Sequence, residues 1–83
     1  MAQYPLDLDL LRTFVAVVES GNFSHAAPRI GRSQSAVSMQ MQRLEEELGR
    51  PLLVRMPRTV VPNAAGSDLL LPLRVLGNGM AGY

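Results

Sequence analysis

Gln34, Ser35, Ser38, Met39 and Gln42 share one arc of a segment whose other side repeats Val37, Met41, Leu44 and Leu48 at steps of four, three and four. That spacing is helical, because residues three and four apart stack on one face. The first arc is small or polar and free of formal charge, whereas solvated helix faces are usually rich in Lys and Glu. An amide donates and accepts together, and a serine clears room for close approach. Base edges in a major groove ask for both properties. Glu45, Glu46 and Glu47 crowd the far end. Only the first turns of this helix therefore suit a polyanion, and there the helix dipole and free N–H groups also favour phosphate.

Other chemistries find no residues to carry them. There is no cysteine, so a disulfide framework, a thiolate metal site and a Cys nucleophile are all excluded. His25 is the one histidine, too few for a His-based metal cluster, and reads as a surface or phosphate-neighbour residue. Ser33, Ser35 and Ser38 have no His–Asp partners for nucleophilic catalysis. The glutamate triplet reads as a solvated helix end, since adjacent residues splay around a helix. We expect neither a metal, nor a cofactor, nor an enzyme.

Charge is uneven along the chain. Residues 1–28 set Asp7, Asp9 and Glu19 against Arg12, a balance of −2. Residues 29–58 set Arg29, Arg32, Arg43, Arg50, Arg55 and Arg58 against the glutamate triplet, a balance of +3. The net charge of +1 hides this segregation. All eight basic residues are arginine, the side chain best shaped for phosphate and guanine. A GC-rich coding sequence also favours arginine, so its position says more than its abundance.

The elements that must carry these residues follow from periodicity and punctuation. Leu10, Leu11, Phe14, Val15, Val17 and Val18 form a broad apolar stripe, predicting a core helix over about 9–20 with Asp9 as N-cap. Gly21-Asn22-Phe23-Ser24 is a turn into a short helix, 24–30, capped by Ser24, with Pro28 at the end of its first turn. Gly31-Arg32 links it to the helix over 33–48, capped by Ser33, so the pair forms a helix-turn-helix corner. Leu52–Arg55 and Thr59–Val61 flank Met56-Pro57-Arg58 and read as a hairpin with Arg55 and Arg58 at or beside its tip. A fourth helix spans 64–76, capped by Asn63, with Pro72 expected to kink or interrupt it. Residues 77–83 carry no stripe and are expected to be disordered. The fold class is mainly α with a small β-hairpin: a winged helix-turn-helix over 1–62, then a short linker or dimerisation helix over 63–76.

Four phrases narrow the reading: Leu10–Val17, Gly21–Ala27, Ser33-Gln34-Ser35-Ala36-Val37-Ser38 and Arg43-Leu44-Glu45-Glu46-Glu47-Leu48-Gly49. In this order and spacing they resemble the N-terminal domain of LysR-type transcriptional regulators, over about residues 6–70. The resemblance implies a bacterial, cytoplasmic regulator of transcription. It would dock helix 33–48 in the major groove of double-stranded DNA, with the wing over 52–61 near the minor groove. It assigns Gln34, Ser35, Ser38 and Met39 to base edges, with Gln42 on the same arc. Arg55 and Arg58 become wing contacts, and Arg32 and Ser33 lie near phosphate. It also implies a homodimer through 63–76, and a tetramer in a full-length parent. Many relatives carry Arg where Met39 stands and Gly where Met56 stands. These 83 residues hold no counterpart of the family's effector-sensing domain, so a small-molecule effector is expected only in a longer parent.

One alternative stays open on the residues alone, a winged helix serving as a protein-interaction or dimerisation module. Such a face should present large apolar anchors, and the helix over 33–48 presents amides and hydroxyls. Leu69–Leu71 reads as core or as a dimer seam, and the small size of the domain favours a seam.

Overall fold

The computed structural model describes residues 7–81, with side chains described from 7 to 73. The order is α1 (Leu8–Ser20), α2 (Phe23–Arg29), α3 (Gln34–Leu48), β1 (Leu53–Arg55), β2 (Val60–Pro62) and α4 (Ala64–Ala81). This is a winged helix-turn-helix followed by one longer helix.

Two helix starts differ from expectation, and for one reason. Asp7, not Asp9, caps α1, accepting from the Asp9 N–H at 2.9 Å. Asn22, not Ser24, caps α2, accepting from the His25 N–H at 2.7 Å. In each case the later residue uses its side chain in a tertiary contact instead. Because α2 begins at Phe23, Pro28 lies beyond the first turn and inside the helix. It forgoes one hydrogen bond there, to the Ser24 carbonyl four residues back. Ser33 caps α3 as expected, accepting from the Ala36 N–H at 3.1 Å. The corner between α2 and α3 closes through the Arg32 N–H, which donates to the Ala27 carbonyl at 3.0 Å. Gly31 takes φ +68°, the left-handed region that residues with a Cβ enter at a cost.

The three helices bury Leu10, Phe14, Val17, Ala26, Val37, Met41 and Leu44 against one another. A fully buried side chain of Leu or Phe size contributes about 1.5–3 kcal/mol, so this cluster holds α3 rigidly. Leu52, Leu53, Val60 and Leu70 extend the core under the hairpin and α4.

The strands pair antiparallel with Leu53 opposite Pro62, Val54 opposite Val61 and Arg55 opposite Val60. Alternation turns Leu53 and Val60 inward and leaves Val54 and Val61 exposed. The tip closes by a hydrogen bond from the Met56 N–H to the Thr59 carbonyl at 2.8 Å. No non-glycine residue among those described has a positive φ. Pro57-Arg58 therefore turns without a glycine, and Met56 fits.

Helix α4 runs through Pro72 without interruption and on to Ala81, so the unstructured tail expected from 77 is corrected over 77–81. Residues 82 and 83 lie outside the described residues. Asn63 starts α4 as expected, accepting from the Gly66 N–H at 2.8 Å, while its own amide donates to the Pro51 carbonyl at 3.0 Å. A Cβ on Gly66 would stand 2.2 Å from the Leu52 carbonyl oxygen. The first turn of α4 therefore lies directly on the backbone leading into β1.

Candidate nucleic-acid interface

Gln34, Ser35, Met39 and Gln42 are exposed and Ser38 is half-buried, so α3 presents the expected arc to solvent. Met39 is 69% exposed, whereas Met41, two residues on, is 1% exposed. The arc forms a ridge between two clefts. One lies between α1 and α3 and is lined by Leu10, Met39, Gln40 and Arg43. The other lies between α2, the start of α3 and the wing, lined by Ser24, His25, Gln34, Arg55 and Arg58. A groove-sized rod of uncharged donors and acceptors, with a basic loop beside it, is thus assembled from separate parts of the chain. Ser33, Arg32 and the free N–H groups of α3 lie at the leading end of that ridge.

The arginines do not behave alike. Arg58, at the tip, is exposed and forms no ion pair among the described residues. Arg55 shares the inward face of the hairpin with Leu53 and Val60. Its guanidinium lies 5.1 Å from the centroid of the Phe23 ring and 3.6 Å from Glu45. Arg32 is ion-paired with Asp9 at 2.6 Å. Arg55 and Arg32 are therefore tethered by the protein itself, while Arg58 bears no such tether among the described residues.

Three features escaped the sequence reading. The first is Glu45, expected to be solvated with its neighbours. Its Oε2 accepts from the Leu52 and Leu53 N–H groups at 2.8 and 3.2 Å, and its side chain is 18% exposed. The correction has a simple cause: Glu45 follows Met41 by four residues and precedes Leu48 by three, so it shares their face. The second is a network joining α1 to α3. Thr13 Oγ1 donates to Gln40 Oε1 at 2.7 Å, Gln40 Nε2 donates to Asp9 Oδ2 at 3.0 Å, and Asp9 holds Arg32. The third is a hydrogen bond from Ser24 Oγ to Gln34 Oε1 at 3.2 Å.

A family model for bacterial regulatory helix-turn-helix proteins of the lysR family matches residues 8–67. The chain belongs to the LysR family. Among its LysR-family relatives is the HTH-type transcriptional regulator AbaB of Streptomyces antibioticus. The two are 50% identical over 64 residues, which is 77% of this chain and 21% of that protein. Among solved LysR-family structures, the CbnR_DBD–DNA complex superposes with a TM-score of 0.80 at 40% identity. The match covers 92% of this chain and 90% of that one. The BenM_DBD complex with catB site 1 DNA gives 0.79 at 39% identity, covering 90% and 82%. The chain spans about a fifth of the length of the curated LysR-family relatives it matches. Among the described residues, no helix is long and apolar enough to cross a membrane.

Proposed function

We propose that this LysR-family domain reads double-stranded DNA for a regulator of transcription. The first turns of α3 enter the major groove, and the wing lies along the neighbouring minor groove. The observation that carries the reading is the exposed, uncharged face of α3, with Gln34, Ser35, Ser38, Met39 and Gln42 on one side of a rigid helix. Gln34 stands at the leading edge and meets adenine through its amide, while Met39 meets a thymine methyl. Arg58 neutralises a backbone phosphate. Ser33 lies at the α3 N-terminus, where N–H groups also receive phosphate. Arg32 and Arg55 join the backbone contacts from tethered positions. The role is binding rather than catalysis, and its place is the cytoplasm, where the DNA is.

Two copies pair through residues 63–76, where Leu71 is 66% exposed and Leu69 and Leu73 are half-buried. Within a longer parent such dimers assemble further into tetramers, and there an effector acts. Selection of bound sequences from a random duplex pool tests the whole reading, because it reports specificity, symmetry and half-site spacing together. An enriched interrupted palindrome is the expected result. Gln34→Ala should then cost about 1–3 kcal/mol on the selected duplex and relax preference at one position in each half-site. Equal losses on every sequence would remove Gln34 from base reading.

A further inference from the structure

We infer that Ser24, a residue of α2, sets the specificity of the site by fixing the amide of Gln34. The inference rests on the reading of Gln34 as a base contact and deepens it. A glutamine side chain loses rotamer freedom when held in one conformation. An exposed Gln34 bearing no second bond would meet that cost at the moment of DNA binding. It would also offer its carbonyl and its NH2 group in either order. The structure supplies the second bond: Ser24 Oγ donates to Gln34 Oε1 at 3.2 Å.

Three neighbouring facts make that bond available. Asn22 caps α2 through its carboxamide oxygen, so the Ser24 hydroxyl is not spent on a backbone N–H. The Asn22 amide nitrogen lies 3.2 Å from His25 Nδ1, which keeps the imidazole engaged on its own turn. The tight corner at Gly31 brings the start of α2 beside the start of α3, so residues ten apart in sequence meet. With Oε1 accepting from Ser24, one lone pair on that oxygen and both N–H bonds of Nε2 remain outward. These are the groups that pair with N6–H and N7 of adenine. Guanine offers two acceptors there, and the carbonyl of a held amide would face one of them. Ser24 is thus a positioning residue: it touches no base and acts through Gln34.

The test is a double-mutant cycle on the 83-residue chain, with the duplex selected from the random pool and its single-base variants as probes. Ser24→Ala should reduce discrimination about 3- to 10-fold at the one position per half-site that Gln34→Ala also relaxes. The dependence of affinity on salt should stay unchanged, because no phosphate contact is lost. Ser24→Thr keeps the hydroxyl and should restore discrimination. In a Gln34→Ala background, Ser24→Ala should change nothing further. Several results would overturn the inference. One is a Ser24→Ala loss that is equal on all sequences with a shallower salt dependence, which would make Ser24 a phosphate contact. Another is an effect that persists without Gln34, and a third is no effect at all. If Gln34→Ala itself leaves preference intact, the base reading fails and the inference falls with it. Melting curves of each variant separate these outcomes from a loss of fold.

Discussion

Replacing Glu45 by alanine removes one carboxylate and with it the acceptor of two backbone N–H groups, those of Leu52 and Leu53. Both bonds are part-buried, and both lie where the chain leaves α3 for the wing. A hydrogen bond to a charged group is worth about 1.5–3 kcal/mol, and a donor left unsatisfied away from water costs about 1–3 kcal/mol. Partial access of water to the vacated site lowers the second figure. The ion pair with Arg55 adds little, since the arginine side chain is 43% exposed and such pairs contribute at most about 1 kcal/mol. Glu45→Ala should therefore cost about 2–4 kcal/mol. A chain of this length has about 4–12 kcal/mol in all, at 0.05–0.15 kcal/mol per residue. Glu45→Gln keeps an oxygen for the two amides and should cost about 1 kcal/mol. Urea denaturation measures the difference. With a slope near 1 kcal/mol per molar, expected for a small domain, the midpoint should fall by about 2 M or more for alanine and about 1 M for glutamine. Midpoints for both variants within about 0.5 M of the parent would refute the bracket between α3 and β1.

Further outcomes follow from the same geometry. Arg58→Ala should lower the magnitude of the slope of log affinity against log salt by about 0.9, with sequence preference retained, as fluorescence anisotropy across a salt series can measure. Arg55→Ala should instead register in urea denaturation, because it releases Phe23 and Glu45 as well as any phosphate. Gly66→Ala should destabilise by about 2 kcal/mol, despite alanine's better helix propensity, because the new methyl meets backbone at Leu52. Scanning calorimetry should place its melting point about 8–16 °C lower. If the chain pairs through 63–76 as proposed, Leu71→Glu should shift its sedimentation from dimer to monomer with little change in melting at low concentration; a persistent dimer would move the seam elsewhere, and a parent chain that sediments only as monomer would remove it.

The legible parts of this chain were those governed by short spacing. The stripes of α1 and α3, the Gly31 corner and the exposure of Met39 against Met41 all follow from a 3.6-residue period. The inward face of Arg55 was not among them: read only as a residue at or beside the wing tip, it shares a face with Leu53 and Val60 and meets Phe23. What was hidden depends on which side chain has a better use for its oxygen. Asp9 and Ser24 are both good caps, yet each yields that role to a residue two places earlier and bonds to another helix. The link from Thr13 through Gln40 to Asp9 joins residues 27 and 31 apart, a distance no local pattern reports. Glu45 looked like one of three equivalent acids, although its register with Met41 and Leu48 marks it as the inward one. Helix α4 outran its expected end because each glycine costs a helix only about 1 kcal/mol relative to alanine, too little to act as a stop by itself.

The seating of Gly66 on the Leu52 carbonyl has a mechanical consequence. With no side chain between them, the last helix and the base of the wing have no compliant layer in which a twist could be absorbed. A twist at the start of α4 therefore reaches the base of the hairpin through backbone contact at Leu52 rather than through side chains.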